Sequence, residues 1–362
     1  MSRPAVARIH LDNIVHNYQL ARSLCPHGNA LAVVKADAYG HGAVAVARAL
    51  SEHVDTFAVA CIEEALELRE AGIQQPVLLL EGFFTADELP VIADQNFWTA
   101  IQRPDQIDQL AAADLSQPLN IWLKVDTGMH RLGFAPEQVV EVAKRLQALP
   151  QVRSVTLMTH FANADLAEPA GRIDVPTQSQ RLFQVAEGLG LNISMANSAA
   201  LMAHPRTVQQ WNRPGIMLYG SSPLDFQSDI ADQLRPAMTL ESKVIATRIV
   251  EPGESVGYGS RFVADKPTLV GTVAMGYADG YPRQAVEGTP VLVNGQRTRI
   301  VGRVSMDMMT IDLTPIEGAG VGSVVEFWGE QLSANEVAAC ADTISYHLFT
   351  GVTRRVPRDY CN

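Results

Sequence analysis

Aromatic residues are scarce, 6% of 362 positions, and cysteine is rarer still. The four cysteines (Cys25, Cys61, Cys340, Cys361) show no CxxC or other regular spacing. This suits free thiols in a reducing compartment better than a disulfide framework, so a cytoplasmic protein is expected. Positive charge is also short, with 28 Lys+Arg against 39 Asp+Glu, a net charge of −11 and no basic run. That balance argues against nucleic acid or an anionic membrane as partner. The N-terminal Met1-Ser-Arg-Pro4 stretch lacks an apolar segment, and Asn, Ser and His interrupt the uncharged run from Gly188 to Pro205. Neither a targeting segment nor a bilayer span is therefore expected. What is present is ordinary globular usage, 47% hydrophobic and 19% charged. A sizeable core can form, and at roughly 100 to 200 residues per domain the length favours two domains, or one large barrel with an appendage.

From about residue 30 to 216, short apolar runs alternate with amphipathic stretches. The runs are Leu31–Val34, Phe57–Ala60, Val77–Leu80, Phe97–Ala100, Leu119–Val125, Val152–Met158, Ile193–Met195 and a last one near Trp211–Gly215. Between them lie helical patterns such as Cys61–Ala71 and Pro136–Leu149, the second with proline at a first helical position and an apolar stripe of Val139, Val140, Val142, Ala143 and Leu146. Eight strand-helix units predict an α/β fold with a closed (β/α)8 TIM-type barrel. An open doubly wound sheet is the runner-up, but no GxGxxG comes after the first run. After about residue 225, strand-like alternation separated by turns such as Asn294-Gly295 predicts a mostly β C-terminal domain. The expected domains are residues 1–225 and 226–362, with an alternating strand at Arg8–Asp12 that could join either.

Barrel active sites are built at the C-terminal ends of the strands. The residues at the ends of these runs or just beyond them are Lys35, then Lys124 with Arg131, His160, Asn197-Ser198, and Arg213 with Gly215. A lone strand-end lysine usually reaches to solvent. Held in apolar surroundings its pKa falls instead, and the neutral amine can bond covalently to an aldehyde or carbonyl. Asn197-Ser198 and Gly215-Ile216 occupy the loops where barrels commonly bind phosphate, although Asn-Ser is equally a helix N-cap.

The string Val34-Lys-Ala-Asp-Ala-Tyr-Gly-His-Gly42 resembles the pyridoxal-phosphate lysine motif of alanine racemases. The likeness continues through Lys124–Gly133, Thr159–Asp165, Ala196–Ala199 and Asn212–Gly220, and in the second domain through Val256–Gly259, Gly276–Tyr281, Gly302–Asp307 and Arg354–Arg358. The resemblance implies pyridoxal 5'-phosphate as cofactor, alanine as substrate and a homodimer with shared sites. It implies that Lys35 holds the cofactor and acts as one base, with Tyr258 from the second subunit as the opposite base. Tyr39, Ser198, Gly215, Ile216 and Tyr346 would bind phosphate, with Asn197 adjoining. Arg213 would face the pyridine nitrogen and His160 would lie behind the ring. Arg131, Tyr277 and Met306 would surround the substrate carboxylate, with Asp307 beside them. Lys124 matches a lysine that is often carbamylated and orients the equivalent of Arg131. Ser305 stands where other members carry Cys. The implied role is to supply D-alanine for peptidoglycan or to degrade it.

The chemistry agrees with this division of labour. Racemisation needs a proton removed from one face and delivered to the other, hence two bases. A tyrosine of pKa about 10 is ~0.1% ionised at pH 7, so using it as a base costs about 4 kcal/mol unless positive charge lies near. Three other readings compete with this one. A metal-dependent barrel hydrolase using Lys124 and His160 needs clustered histidines, and no His-x-His occurs among the nine. No metal is expected. A pyridoxal-phosphate carrier would leave the second domain and Tyr258 unexplained, and a fold-related decarboxylase would offer an acid where Arg213 stands.

Overall fold

The computed structural model describes residues 3–361. They form two compact units. One takes residues 14–38 and 43–234; the other takes the N-terminal segment through Asn13, residues 39–42 and the chain from Arg235 onward. The chain opens with β1 (Val6–His10) and the helix Leu11–Ser23. It then runs through β2 (Asn29–Ala30), β3 (Ala32–Val33), β4 (Phe57–Val59), β5 (Val77–Leu79), β6 (Phe97–Ile101), β7 (Leu119–Lys124), β8 (Val152–Met158), β9 (Asn192–Asn197) and β10 (Trp211–Arg213).

β2 to β10 form one sheet in the order β2-β10-β9-β8-β7-β6-β5-β4-β3, each neighbour pair parallel. β2 and β3 are two pieces of one strand broken at Leu31, so the sheet closes on itself. The break keeps its ladder: Leu31 N–H donates to the Asn212 carbonyl at 3.0 Å on one side and Ala32 N–H to Thr56 at 3.1 Å on the other. Closure confirms the expected barrel and removes the open-sheet alternative. β4 and β5 are buried along their whole length, as parallel strands covered by helices must be. Trp98 and Trp122 stack at 6.3 Å, and Trp211, several strands away in the sheet, reaches both at 5.2 and 5.8 Å. These rings therefore meet across the barrel interior. The covering helices start where the sequence signals a start: Pro136 opens one, and Asp174 caps another by accepting from Thr177 N–H at 2.8 Å.

The second unit contains β11 (Met238–Val250), β12 (Ser255–Val256), β13 (Phe262–Val263), β14 (Thr268–Val273), β15 (Pro290–Val293), β16 (Gln296–Arg299), β17 (Met309–Asp312), β18 (Val324–Trp328) and β19 (Arg358–Cys361). Its main sheet runs β16-β15-β18-β11-β1-β19, with β14 and β17 continuing from the far half of β11. β11 serves both regions by shifting register between Val244 and Ala246. The Asn294-Gly295 turn, with φ of +49° and +79°, joins β15 to β16 as its letters predict. The expected strand at Arg8–Asp12 lies earlier, at Val6–His10, because Leu11 already begins a helix. β1 sits between β11 and β19, burying Ala7 and Ile9 while Arg8 pairs with Glu241 and Asp359.

Candidate active site

In the barrel unit, the residues expected from the strand ends do stand there. Lys35 comes two residues after β3, Lys124 ends β7, His160 lies just beyond β8, Asn197 ends β9, and Arg213 ends β10. Arg213 is buried and two of its nitrogens are fixed by Ser194 Oγ at 2.5 Å, the Thr159 carbonyl at 2.7 Å and the Met195 carbonyl at 3.3 Å. It also approaches His160 Nδ1 at 3.5 Å. Burial lowers its pKa to about 10, which leaves it charged at neutral pH.

These cations act on one another. Burial pushes the Lys35 amine below its ordinary value, Glu81 and Glu64 oppose the shift, and Arg131 and Arg213 reinforce it. Burial, then Arg213, Arg131 and Lys35, bring Lys124 down to about 8. His160 is driven well below 6.5 by burial and by the same cations, so its ring is neutral and can accept from Arg213. A cluster of like charges in a partly desolvated cleft is a place for anions, and a neutral imidazole among cations is a poor metal site.

Asn197 and Ser198 divide the two readings of their pair. Asn197 caps the helix Ser198–Ala203 by accepting from Ala200 N–H at 3.0 Å. The Ser198 hydroxyl accepts from Gly215 N–H at 2.8 Å and Met217 N–H at 3.3 Å. Its own proton remains to be donated. Ile216 begins a 3-10 turn whose first N–H has no partner within it.

In the β unit, Tyr258 is 71% exposed in a short turn between Gly257 and Gly259. Arg303 runs beside that turn, its backbone nitrogen 3.7 Å from the place a Cβ on Gly257 would take. Arg261 and Arg283 lower the Arg303 pKa, so three like charges gather there. Tyr277 and Met306 are held together by backbone: Tyr277 N–H donates to Ser305 at 3.0 Å and Ala278 N–H to Met306 at 2.9 Å. Gly276 permits the approach, since a Cβ would lie 2.3 Å from the Met306 carbonyl oxygen. Asp307 pairs with Arg355 at 2.7 Å. Tyr39 and Tyr346 lie with ring centres 5.8 Å apart.

Sequence reasoning missed the buried Asp279 that ties this region down. Asp279 accepts from Gly276 N–H at 2.8 Å and pairs with Arg3 at 2.5 Å and Arg355 at 3.4 Å. Its letters lie inside the Gly276–Tyr281 motif, but its partners stand at the two ends of the chain. Also missed were Glu64, Ser194 and Glu81, which touch or bias the strand-end cations; Glu64 lies in a helix and Ser194 inside a strand, whereas Glu81 directly follows the run Val77–Leu80 and carried the same signal as Lys35.

A (β/α)8 barrel with a cationic, lysine-bearing mouth, joined in one chain to a β unit that carries an exposed tyrosine, defines a two-domain class of barrel enzyme. Residues 9–223 match the alanine racemase N-terminal domain family and residues 237–360 its C-terminal domain family. The chain belongs to the alanine racemase family and is an amino-acid racemase. It is 53% identical over 362 residues to alanine racemase of Pseudomonas fluorescens, covering 99% of each chain, and 53% identical over 359 residues to the catabolic alanine racemase of Pseudomonas putida, again covering 99% of each. Among solved structures it is similar to the biosynthetic alanine racemase of Pseudomonas aeruginosa, at 47% identity and a TM-score of 0.93 over 99% of this chain and 100% of that one.

Proposed function

We propose that the chain interconverts L-alanine and D-alanine with pyridoxal 5'-phosphate held at the barrel mouth, as a cytoplasmic homodimer. The observation that carries this reading is Lys35, a strand-end lysine with a depressed pKa, facing the field of Arg131 and Arg213. The donor set fits the cofactor. Lys35 would supply the amine for its aldehyde carbon, the Ser198 hydroxyl and the Gly215-Ile216 backbone with Asn197, Tyr39 and Tyr346 would hold its phosphate, and Arg213 and neutral His160 would serve its ring. When bound, the cofactor supplies an electron sink for the charge left on the substrate α-carbon.

Arg213 donates and keeps its proton, so it orients the ring nitrogen without protonating it. Lys35 takes or returns the α-proton on one face. Tyr258 of a second copy serves the other face, from a turn beside Arg303, near which Arg261 and Arg283 also gather positive charge. Arg131, Tyr277 and Met306 receive the substrate carboxylate. Lys124, with an amine largely neutral above about pH 8, is suited to add carbon dioxide as a carbamate with loss of a proton. The product anion would then hold the Arg131 guanidinium. The relatives include both a catabolic and a biosynthetic racemase, and the proposed chemistry serves D-alanine supply for peptidoglycan or D-alanine breakdown alike.

The test is a circular-dichroism racemisation assay on L-alanine with and without added cofactor, then borohydride reduction and peptide mapping. Cofactor-dependent loss of the L-alanine signal and a label on the Lys35 peptide are expected. Label on Lys124 instead would overturn the assignment.

A further inference from the structure

Directly after Lys35 the backbone does something its letters do not announce. Ala36, Asp37, Ala38 and Tyr39 have φ of +53°, +53°, +51° and +54°. Four consecutive non-glycine residues thus lie in the left-handed region, which crowds each Cβ against the backbone. Strain of this kind persists only where the surroundings over-determine it, and it clusters at functional sites.

The start of this turn is held by a carboxylate. Glu64, in the first turn of the helix Ile62–Glu70, accepts from Ala36 N–H through Oε1 at 2.7 Å and from Ala60 N–H through Oε2 at 2.8 Å. Ala36 is the residue after Lys35, and Ala60 is the residue after β4. One side chain therefore bolts together the exits of two adjacent barrel strands. Ala38 N–H reaches back to the Val34 carbonyl at 2.9 Å, and Asp37 Oδ1 accepts from Ala43 N–H at 2.7 Å. Those two bonds close the turn on itself and on the next helix, whereas Glu64 ties it to the barrel through the residue next to Lys35.

We propose that Glu64 is a positioning residue for Lys35: by holding the left-handed turn at Ala36 it fixes the direction in which the Lys35 amine is presented at the barrel mouth. Both carboxylate oxygens are engaged, so the role needs reach as well as an acceptor. A glutamine offers one oxygen and turns an NH2 toward the other N–H, and an aspartate keeps the charge but is one methylene short.

This inference rests on Lys35 being the lysine that takes the cofactor, and its experiment separates the two. Glu64→Gln, Glu64→Asp and the unchanged chain are stripped of cofactor, and each is labelled with a limiting amine-reactive reagent. The ratio of Lys35 to Lys124 modification is read by mass spectrometry, alongside amide hydrogen exchange over residues 33–42. Pyridoxal phosphate is then added and the rate of its capture measured by absorbance. Both variants are expected to change the labelling ratio, speed exchange of the segment and slow capture by about tenfold, the scale of one charge-assisted hydrogen bond. An unchanged labelling ratio in both variants overturns the proposal. So does full recovery in Glu64→Asp, which would assign the effect to charge rather than to the hold. Should the unchanged chain capture no cofactor at Lys35 while the labelling ratio still shifts in the variants, the cofactor reading falls and the positioning role stands.

Discussion

Lys124 is the residue where electrostatics and folding conflict most openly. It shares its surroundings with Arg213, Arg131 and Lys35, and its pKa of about 8 reports how poorly the charged form is tolerated. In the unfolded chain a lysine titrates near 10.4. The folded value is the lower one, so below about pH 8 the native state carries an unfavourable charge, and stability is regained as pH rises from there toward the unfolded value. Replacing Lys124 by methionine removes the conflict. In bicarbonate-free buffer at pH 7 the Lys124→Met protein should melt a few degrees higher, the scale of about 1 kcal/mol after allowing for solvent at a partly buried site. That advantage should shrink between pH 8 and 10 and be smaller wherever bicarbonate has turned the amine into a carbamate. Scanning calorimetry across this range decides the matter, and a constant difference at every pH would show that Lys124 is not the strained group.

At the scale of elements, the turn Tyr277–Asp279 is held to the Met306-Asp307 segment by backbone bonds, and buried Asp279 brings in Arg3 and Arg355 from the chain ends. Asp279→Asn keeps an acceptor for Gly276 N–H but leaves the two arginines facing a neutral group. If the turn presents Tyr277 to the substrate carboxylate, KM for alanine should rise roughly tenfold while kcat changes less, since the loss is in binding. An unchanged KM in steady-state assays would reduce Asp279 to a folding role. Asp279 also shows where reading letters stops. Lys35 and Lys124 were legible because each is a charge closing an apolar run, and Arg213 because it falls at the end of the last expected strand, where barrel sites are built. Asp279 was not, because its partner Arg3 lies hundreds of residues away. The same holds for β2, whose polar Asn29 enters the barrel by pairing with Trp211, and for β12 and β13, two residues each, which are too short for alternation to register. The left-handed turn was hidden because Ala-Asp-Ala-Tyr contains no glycine to mark it.

For the whole molecule, a chain with net charge −11 brings Lys35, Lys124, Arg131 and Arg213 within electrostatic reach of one another, so the acidic total conceals a local field that attracts anions. The β unit also exposes large apolar side chains, among them Tyr258 at 71%, Met306 at 53% and Ile249 at 64%. The proposed sharing of sites between two copies makes a quantitative forecast. Lys35→Ala chains keep Tyr258, and Tyr258→Phe chains keep Lys35, and each protein alone should be inactive. Unfolded and refolded together at equal amounts, they should pair at random, half the dimers being mixed and one of two sites in each being whole. Activity should then return to about a quarter of the unmutated level. Mixed dimers isolated by differential tags yet devoid of turnover would mean that Tyr258 serves the lysine of its own chain, or that it serves none.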